Sequence, residues 1–188
     1  MSNPLPLALP VDLAAYLNTA IDPGQADAVL AAASAVIRAW TGQQLVRVVD
    51  DTITIPYDGP VIFLPQLPIV SVSALSLRTI WPSSTYDLTT NYTLMSDGSI
   101  RLNPYAGQAY WVGRGGATLT ATYTHGYDAI PTDISLGVCI PLAARMLTNP
   151  AGRTMTTRGM VIDSFAPSMT LLDHEQSILS AYRPIVVG

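Results

Sequence analysis

The segment ATLTATYTHGYDAIPTDISLGVCIPLAARMLTNPAG, residues 117–152, reads as a strand, a tight corner and a long buried helix. Leu119, Ala121 and Tyr123 alternate with Thr118, Thr120, Thr122 and Thr124, the period of a half-buried strand. His125-Gly126-Tyr127-Asp128 breaks the alternation, and Gly126 admits a positive φ. Pro131 closes the corner. Thr132 is placed as the N-cap, and Asp133 sits where the helix dipole favours an acid. Ile134, Leu136, Val138, Ile140, Leu142, Ala143, Ala144, Met146 and Leu147 then make a helix that is apolar nearly all round, a helix for a core or a subunit junction. Pro141 predicts a kink, eased by Gly137. Asn149-Pro150-Ala151-Gly152 stops the helix.

Upstream, residues 1–11 read as a flexible arm, because Pro4, Pro6 and Pro10 favour extended backbone. A helical hairpin is expected over 12–42. Its first helix, Asp12–Ala20, is capped by Asp12 and turns Leu13, Tyr16 and Leu17 to one face. Asp22, Pro23 and Gln25 form a second start signal, with a capping residue, a first-turn proline and a capping-box glutamine. Ala26, Val29, Leu30, Ala33, Val36, Ile37 and Trp40 line the next helix, and Gly42 ends it.

Residues 43–124 read as β. Val46, Val48, Ile53 and Ile55 alternate around Asp50-Asp51, which predicts a bulge or two strand segments. Tyr92 to Leu102 is a hairpin with a type I′ turn at Asp97-Gly98. Gly113-Arg114-Gly115-Gly116 is a loop. After Gly152, residues 153–169 read as an extended loop or hairpin. Ser168 or Thr170 then caps a C-terminal helix over 170–183, closed by Tyr182-Arg183-Pro184. The fold class is α+β: a helical hairpin, a long buried helix and a C-terminal helix, with a β-rich segment, a small sheet or open barrel, between them. Its length fits a single domain.

Charged residues make up 12% of the chain and apolar ones 49%. Soluble monomers carry about 25% charged residues, so neighbouring subunits are expected to cover much of this surface. No 18-residue apolar stretch fits a membrane helix, and no membrane role is expected. The N-terminus lacks the basic region of a signal peptide, so synthesis in the cytoplasm is expected. The net charge of −4 argues against a protein that grips DNA phosphates.

Little here carries chemistry. Cys139 is the one cysteine and reads as a core residue. His125 and His174 have no ligand partners at metal spacing; His125 reads as a corner residue bonded to backbone, and His174 with Asp173 and Glu175 as a solvated face. Asp50 and Asp51 point to opposite faces of a strand. The glycine loop lacks the lysine of a phosphate loop. No catalytic residue, cofactor or metal is expected. The candidate assembly contacts are Arg38, Trp40, Arg145, Arg153, Arg158, Tyr182 and Arg183. For Arg38 and Arg145, an ion pair within the chain or a snorkelling edge position competes with pairing across subunits.

The run Tyr123-x-His125-Gly126-Tyr127-Asp128-x-Ile130-Pro131-x-Asp133-Ile134, then Leu142-Ala143-Ala144-Arg145 and Asn149-Pro150-x-Gly152, resembles the head-to-tail adaptor (connector) proteins of tailed bacteriophages. The opening hairpin and the ending Glu175…Leu179…Tyr182-Arg183-Pro184 share that resemblance. It covers about 12–41, 117–152 and 170–184. It implies a virion structural protein at the neck and a homo-oligomeric ring, commonly a dodecamer. It further implies a portal protein on one side, the next neck or tail protein on the other, and DNA passing through without sequence-specific binding. The alternatives are another neck or tail component, a stopper or tail terminator, and less strongly a small-ligand-binding protein or enzyme.

Overall fold

The computed structural model describes residues 5–80, 83–103, 116–149, 155–158, 161–164 and 169–184. The chain divides into two compact units: a helical unit drawn from both ends, Met1–Val46 with Asp128–Gly188, and a β unit, Arg47–Tyr127.

In the helical unit, α1 spans Pro10–Leu17 and α2 Pro23–Thr41. The start signal of α2 works as its residues dictate. The Asp22 side chain accepts from the Gln25 N–H at 3.0 Å, Pro23 needs no partner, and Gly42 ends the helix at φ 71°. Ala26, Leu30, Ala33 and Ile37, spaced four, three and four apart, are the buried stripe. The first helix starts two residues earlier than Asp12, with Leu9 in the cap position and no side-chain cap. Pro10 supplies the first-turn geometry instead, and Asp12 lies in the first turn. The described part of the expected arm lies along α2: Leu7 is buried and its N–H donates to Ser34 Oγ at 2.9 Å.

The central helix forms in three pieces: α3, Thr132–Ile134; a π turn, Ser135–Cys139; and α4, Ile140–Thr148. Pro131, rather than Thr132, occupies the cap position. The Ile140 N–H reaches back five residues to the Ser135 carbonyl. Pro141 has no N–H for Gly137, four residues before it, and a widened turn is how a helix accommodates that gap. Ile134, Val138, Cys139, Ile140, Leu142, Ala143, Ala144 and Met146 are buried, whereas Leu136 is 51% exposed. The helix is therefore buried on one side and not all round. β8, Met155–Arg158, pairs antiparallel with β9, Val161–Ser164, so strands occupy part of the 153–169 segment. The last helix, α5, spans Asp173–Ser180 with Leu172 in the cap position. Ser168 lies outside the described residues, and Thr170 does not cap. Glu175 does so from inside, its Oε2 accepting the Leu172 N–H at 2.9 Å.

In the β unit the strands are β1 Val48–Pro56, β2 Val61–Phe63, β3 Ile69–Thr79, β4 Ser84–Asp87, β5 Tyr92–Leu94, β6 Ser99–Leu102 and β7 Thr118–His125. They form a four-stranded sheet, β1-β7-β3-β4, and a three-stranded sheet, β2-β6-β5, with antiparallel neighbours throughout. β7 is central to the first sheet. Its Leu119, Ala121 and Tyr123 are fully buried and join Leu75, Leu77, Ile62, Ile100 and Leu102 in one apolar cluster. Its outward threonines pair with β1: Thr52 with Thr122 at 2.9 Å and Thr54 with Thr120 at 3.0 Å between hydroxyls.

Asp50 and Asp51 belong to a bulge within β1. The register shifts between Val48 and Asp51, and Asp50 takes φ 53°. The β5–β6 connection differs from the expected type I′ turn. The Gly98 N–H bonds the Met95 carbonyl at 3.0 Å and Gly98 takes φ 80°, whereas Asp97 does not take a positive φ. The result is a three-residue loop with a glycine bulge. Asp97 Oδ1 accepts the Ser99 N–H at 2.9 Å, which fixes the residue as a turn former rather than a left-handed one.

Candidate functional site

The most polar construction in the helical unit joins α4 to α5. Arg145 Nη1 and Nη2 donate to Glu175 Oε1 and Oε2 at 2.7 and 2.8 Å, a two-pronged geometry. Glu175 is fully buried and Arg145 is partly buried, its side chain 17% exposed. Arg145 Nη2 also donates to the Thr170 carbonyl at 3.3 Å, while its Nε is buried with no hydrogen-bond partner among the described residues. The expected solvated face around His174 is thus corrected: Asp173 and His174 are exposed, but Glu175, the one glutamate of the chain, is an internal anchor. The signal that could have found it is its place three residues into a helix, facing the lone cation of an apolar helix.

Two further ties hold the end of α5. Tyr182 donates its hydroxyl to Asp133 Oδ2 at 2.6 Å. The Arg183 guanidinium lies 5.1 Å from the centre of the Trp40 ring. Trp40 and Arg183, with Ala39, Thr41, Gly42, Ser180 and Pro184, line an open groove of about 530 Å³. Arg38 sits two residues before Trp40. Its Nε donates to the Gln44 carbonyl at 3.2 Å and its Nη2 to the Leu5 carbonyl. Burial pulls the Arg38 pKa below its ordinary value, with Cys139 opposing. The candidate contacts therefore separate. Trp40 and Arg183 come together, Tyr182 lies next in sequence, and Arg38 and Arg145 are engaged within their own chain. Arg158 ends β8 opposite Val161. Arg153 lies outside the described residues.

Cys139 is buried in the same unit, 3.7 Å from Ser34 Oγ. Burial pushes its thiol up to about 11, against smaller opposing effects of Ser34 and Arg38, so it is inert as a nucleophile at neutral pH. In the β unit His125 is buried and its Nε2 lies 3.2 Å from Asp51 Oδ2, with the Tyr123 ring 5.0 Å from its own. The corner histidine thus pairs with a carboxylate across the strands, and no backbone partner for its ring appears among the described residues. The hydroxyl of Tyr123 is pushed up to about 12, chiefly by burial and then by Asp51. Among the described residues no three of His, Cys, Asp or Glu are grouped to hold a metal, and no helix is long and apolar enough to cross a membrane.

Neither a family model nor a curated protein sequence matches this chain. Solved structures do. A chain in the neck of an empty gene transfer agent (GTA) particle, computed with C6 symmetry, aligns over 96% of this chain and 91% of its own length. The TM-score is 0.56 and the identity 16%. A chain in the virion of the native GTA particle aligns over the same shares, with a TM-score of 0.55 and 14% identity. The α+β arrangement read from the sequence is therefore a fold that these particles use.

Proposed function

We propose that this chain is a virion structural protein, a head-to-tail adaptor that forms a ring at the neck of a phage or phage-like particle. The observation that carries this reading is the alignment of nearly the whole chain with a neck component of similar fold. In this reading copies pack side by side around an axis, one rim meets a portal protein, and the other receives the next neck or tail protein. DNA passes through the channel without sequence-specific binding. The ring number expected from the portal is twelve. The neck is the chain's place in the particle, and no catalytic step, cofactor or membrane is involved.

Composition supports the reading independently. All nine cations are arginine and none is lysine. Arginine is weakly hydrated and enriched at protein interfaces, where lysine is depleted. The 12% charge leaves little to solvate a free surface. The ties of α5 to the rest of its unit fix Tyr182, Arg183 and Pro184 before any partner arrives, which suits a docking end. A stopper or tail terminator remains the second reading.

Electron microscopy of purified particles, with the chain tagged, tests this. Ring-shaped density for the tagged chain between portal and tail is the expected result. Particles with a complete neck lacking it would end the reading.

A further inference from the structure

The outer face of the β2-β6-β5 sheet carries two cross-strand rows. In one, Phe63 lies opposite Ser99, and the Met95 N–H bonds the Ser99 carbonyl at 2.8 Å. In the other, Val61 and Thr93 both lie opposite Arg101. Val61, Phe63 and Met95 are 45%, 43% and 40% exposed. Arg101 is the one charge in the two rows. Its side chain is exposed and has no hydrogen bond or ion pair among the described residues.

The α1 region presents the converse. Leu9, Val11 and Tyr16 are 60%, 66% and 59% exposed. Asp12 is the only charged residue between residues 5 and 20. It lies one helical turn before Tyr16, on the same side. Its carboxylate also has no partner among the described residues. A single unpaired charge ringed by exposed large apolar side chains is poor solvent-facing surface and good interface surface.

We infer that the Arg101 face of one copy docks on the Asp12 face of the next, with Arg101 pairing with Asp12 across each junction. This rests on the reading of the chain as a ring subunit. The occupant is a second copy because one chain carries both halves of a charge-complementary pair. Each half is set in apolar surroundings that exclude water and strengthen the pair. The two faces differ, so the contact is head-to-tail. Repeated around an axis it closes a ring, and without closure it runs on as a filament.

The test is a charge swap on the full chain, read by sedimentation velocity over a concentration series. Asp12→Arg and Arg101→Asp each place like charges at the junction. Each alone should weaken self-association by at least about tenfold. An equimolar mixture of the two should restore it, because every junction in an alternating ring again pairs opposite charges. The neutral variants Asp12→Asn and Arg101→Gln guard against misfolding. Each should weaken association with unchanged thermal unfolding, and their double variant should lose less than the sum. A mixture no better than its components overturns the pairing, as does a single variant that associates like the parent. So does a parent chain still monomeric at about 1 mM, where even a junction worth about 4 kcal/mol is half formed. A neck ring whose neighbours meet through other surfaces overturns the pairing and leaves the neck reading intact. Absence of the chain from particles does the reverse.

Discussion

Ser34 and Glu175 are buried in the helical unit, and each ties segments far apart in sequence: Ser34 takes the N–H of Leu7, and Glu175 takes Arg145 and the start of its own helix. In the β unit several polar bonds run between adjacent strands, as Thr52–Thr122, Thr54–Thr120 and Asp51–His125 do, while Ser73–Asp50 and Tyr92–Val72 reach further. There the apolar cluster from Tyr57 to Tyr123 holds the sheets. The helical unit thus adds a few long-range polar joints to its own buried apolar side chains, among them Leu13, Leu30, Ile37, Val138 and Leu142. The β unit spreads its cohesion over a ladder and a contiguous core. A single polar deletion should therefore harm the first more than the second, and a single apolar truncation should be the worst change in the second.

The largest effect is expected from Glu175→Ala. It strands the partly buried Arg145 guanidinium, whose Nε has no hydrogen-bond partner among the described residues. Removing one member of a buried pair costs about 3–5 kcal/mol, readable by urea unfolding. Replacing both, as Arg145→Met with Glu175→Leu, should recover most of that loss. A cost below about 1 kcal/mol for Glu175→Ala would break the contrast between the units. Leu119→Ala is the matching test in the β unit. Leu119 is fully buried on the central strand, and truncation should cost about 3 kcal/mol. On the outer face of the same sheet, Thr120→Val should cost less than about 1 kcal/mol.

What was legible follows the same division. Period-two alternation gave β7 its buried and exposed faces, because a strand's faces are set by position alone. Local chemistry gave the ends of α2, since Asp22, Pro23 and Gly42 act within one turn. What escaped depends on distant partners. Glu175 reads as surface until Arg145 is brought opposite it. Leu136 reads as core by type, yet faces outward because the π turn rotates the helix there. Asp51 and His125 lie 74 residues apart in sequence, and no local rule joins them. Of the candidate contacts, only the meeting of Trp40 and Arg183 has a trace in sequence, as residues near the C-terminal ends of two helices.

Alkaline titration separates the units by pH. Cys139 in the helical unit rises from its usual 9 to about 11, and Tyr123 in the β unit from 10 to about 12. Each acid keeps its proton longer folded than unfolded. The folded state therefore binds more protons inside that window, and stability falls as pH rises through it. Below the lower limit each contribution is intact. Cys139→Ala should flatten the loss between pH 9 and 11 by on the order of 1–2 kcal/mol. Tyr123→Phe should act only at the higher window. A thiol reagent at pH 8 should label Cys139 only after unfolding.

The smallest effect expected is also the most informative about the end of α5. Arg183 is exposed and stacks on Trp40, a contact worth about 0.5–1 kcal/mol at a solvated site. A double-mutant cycle of Arg183→Gln and Trp40→Leu in the isolated chain isolates that term from whatever each residue contributes alone. A coupling of that size means the helical unit itself fixes the exit of α5, ahead of assembly. It should fall little with added salt, because a ring face attracts a guanidinium through its quadrupole and van der Waals contact rather than through net charge. A coupling near zero would mean that Tyr182 and its bond to Asp133 hold the end alone. Arg183 and the groove beside it would then be left entirely to a partner.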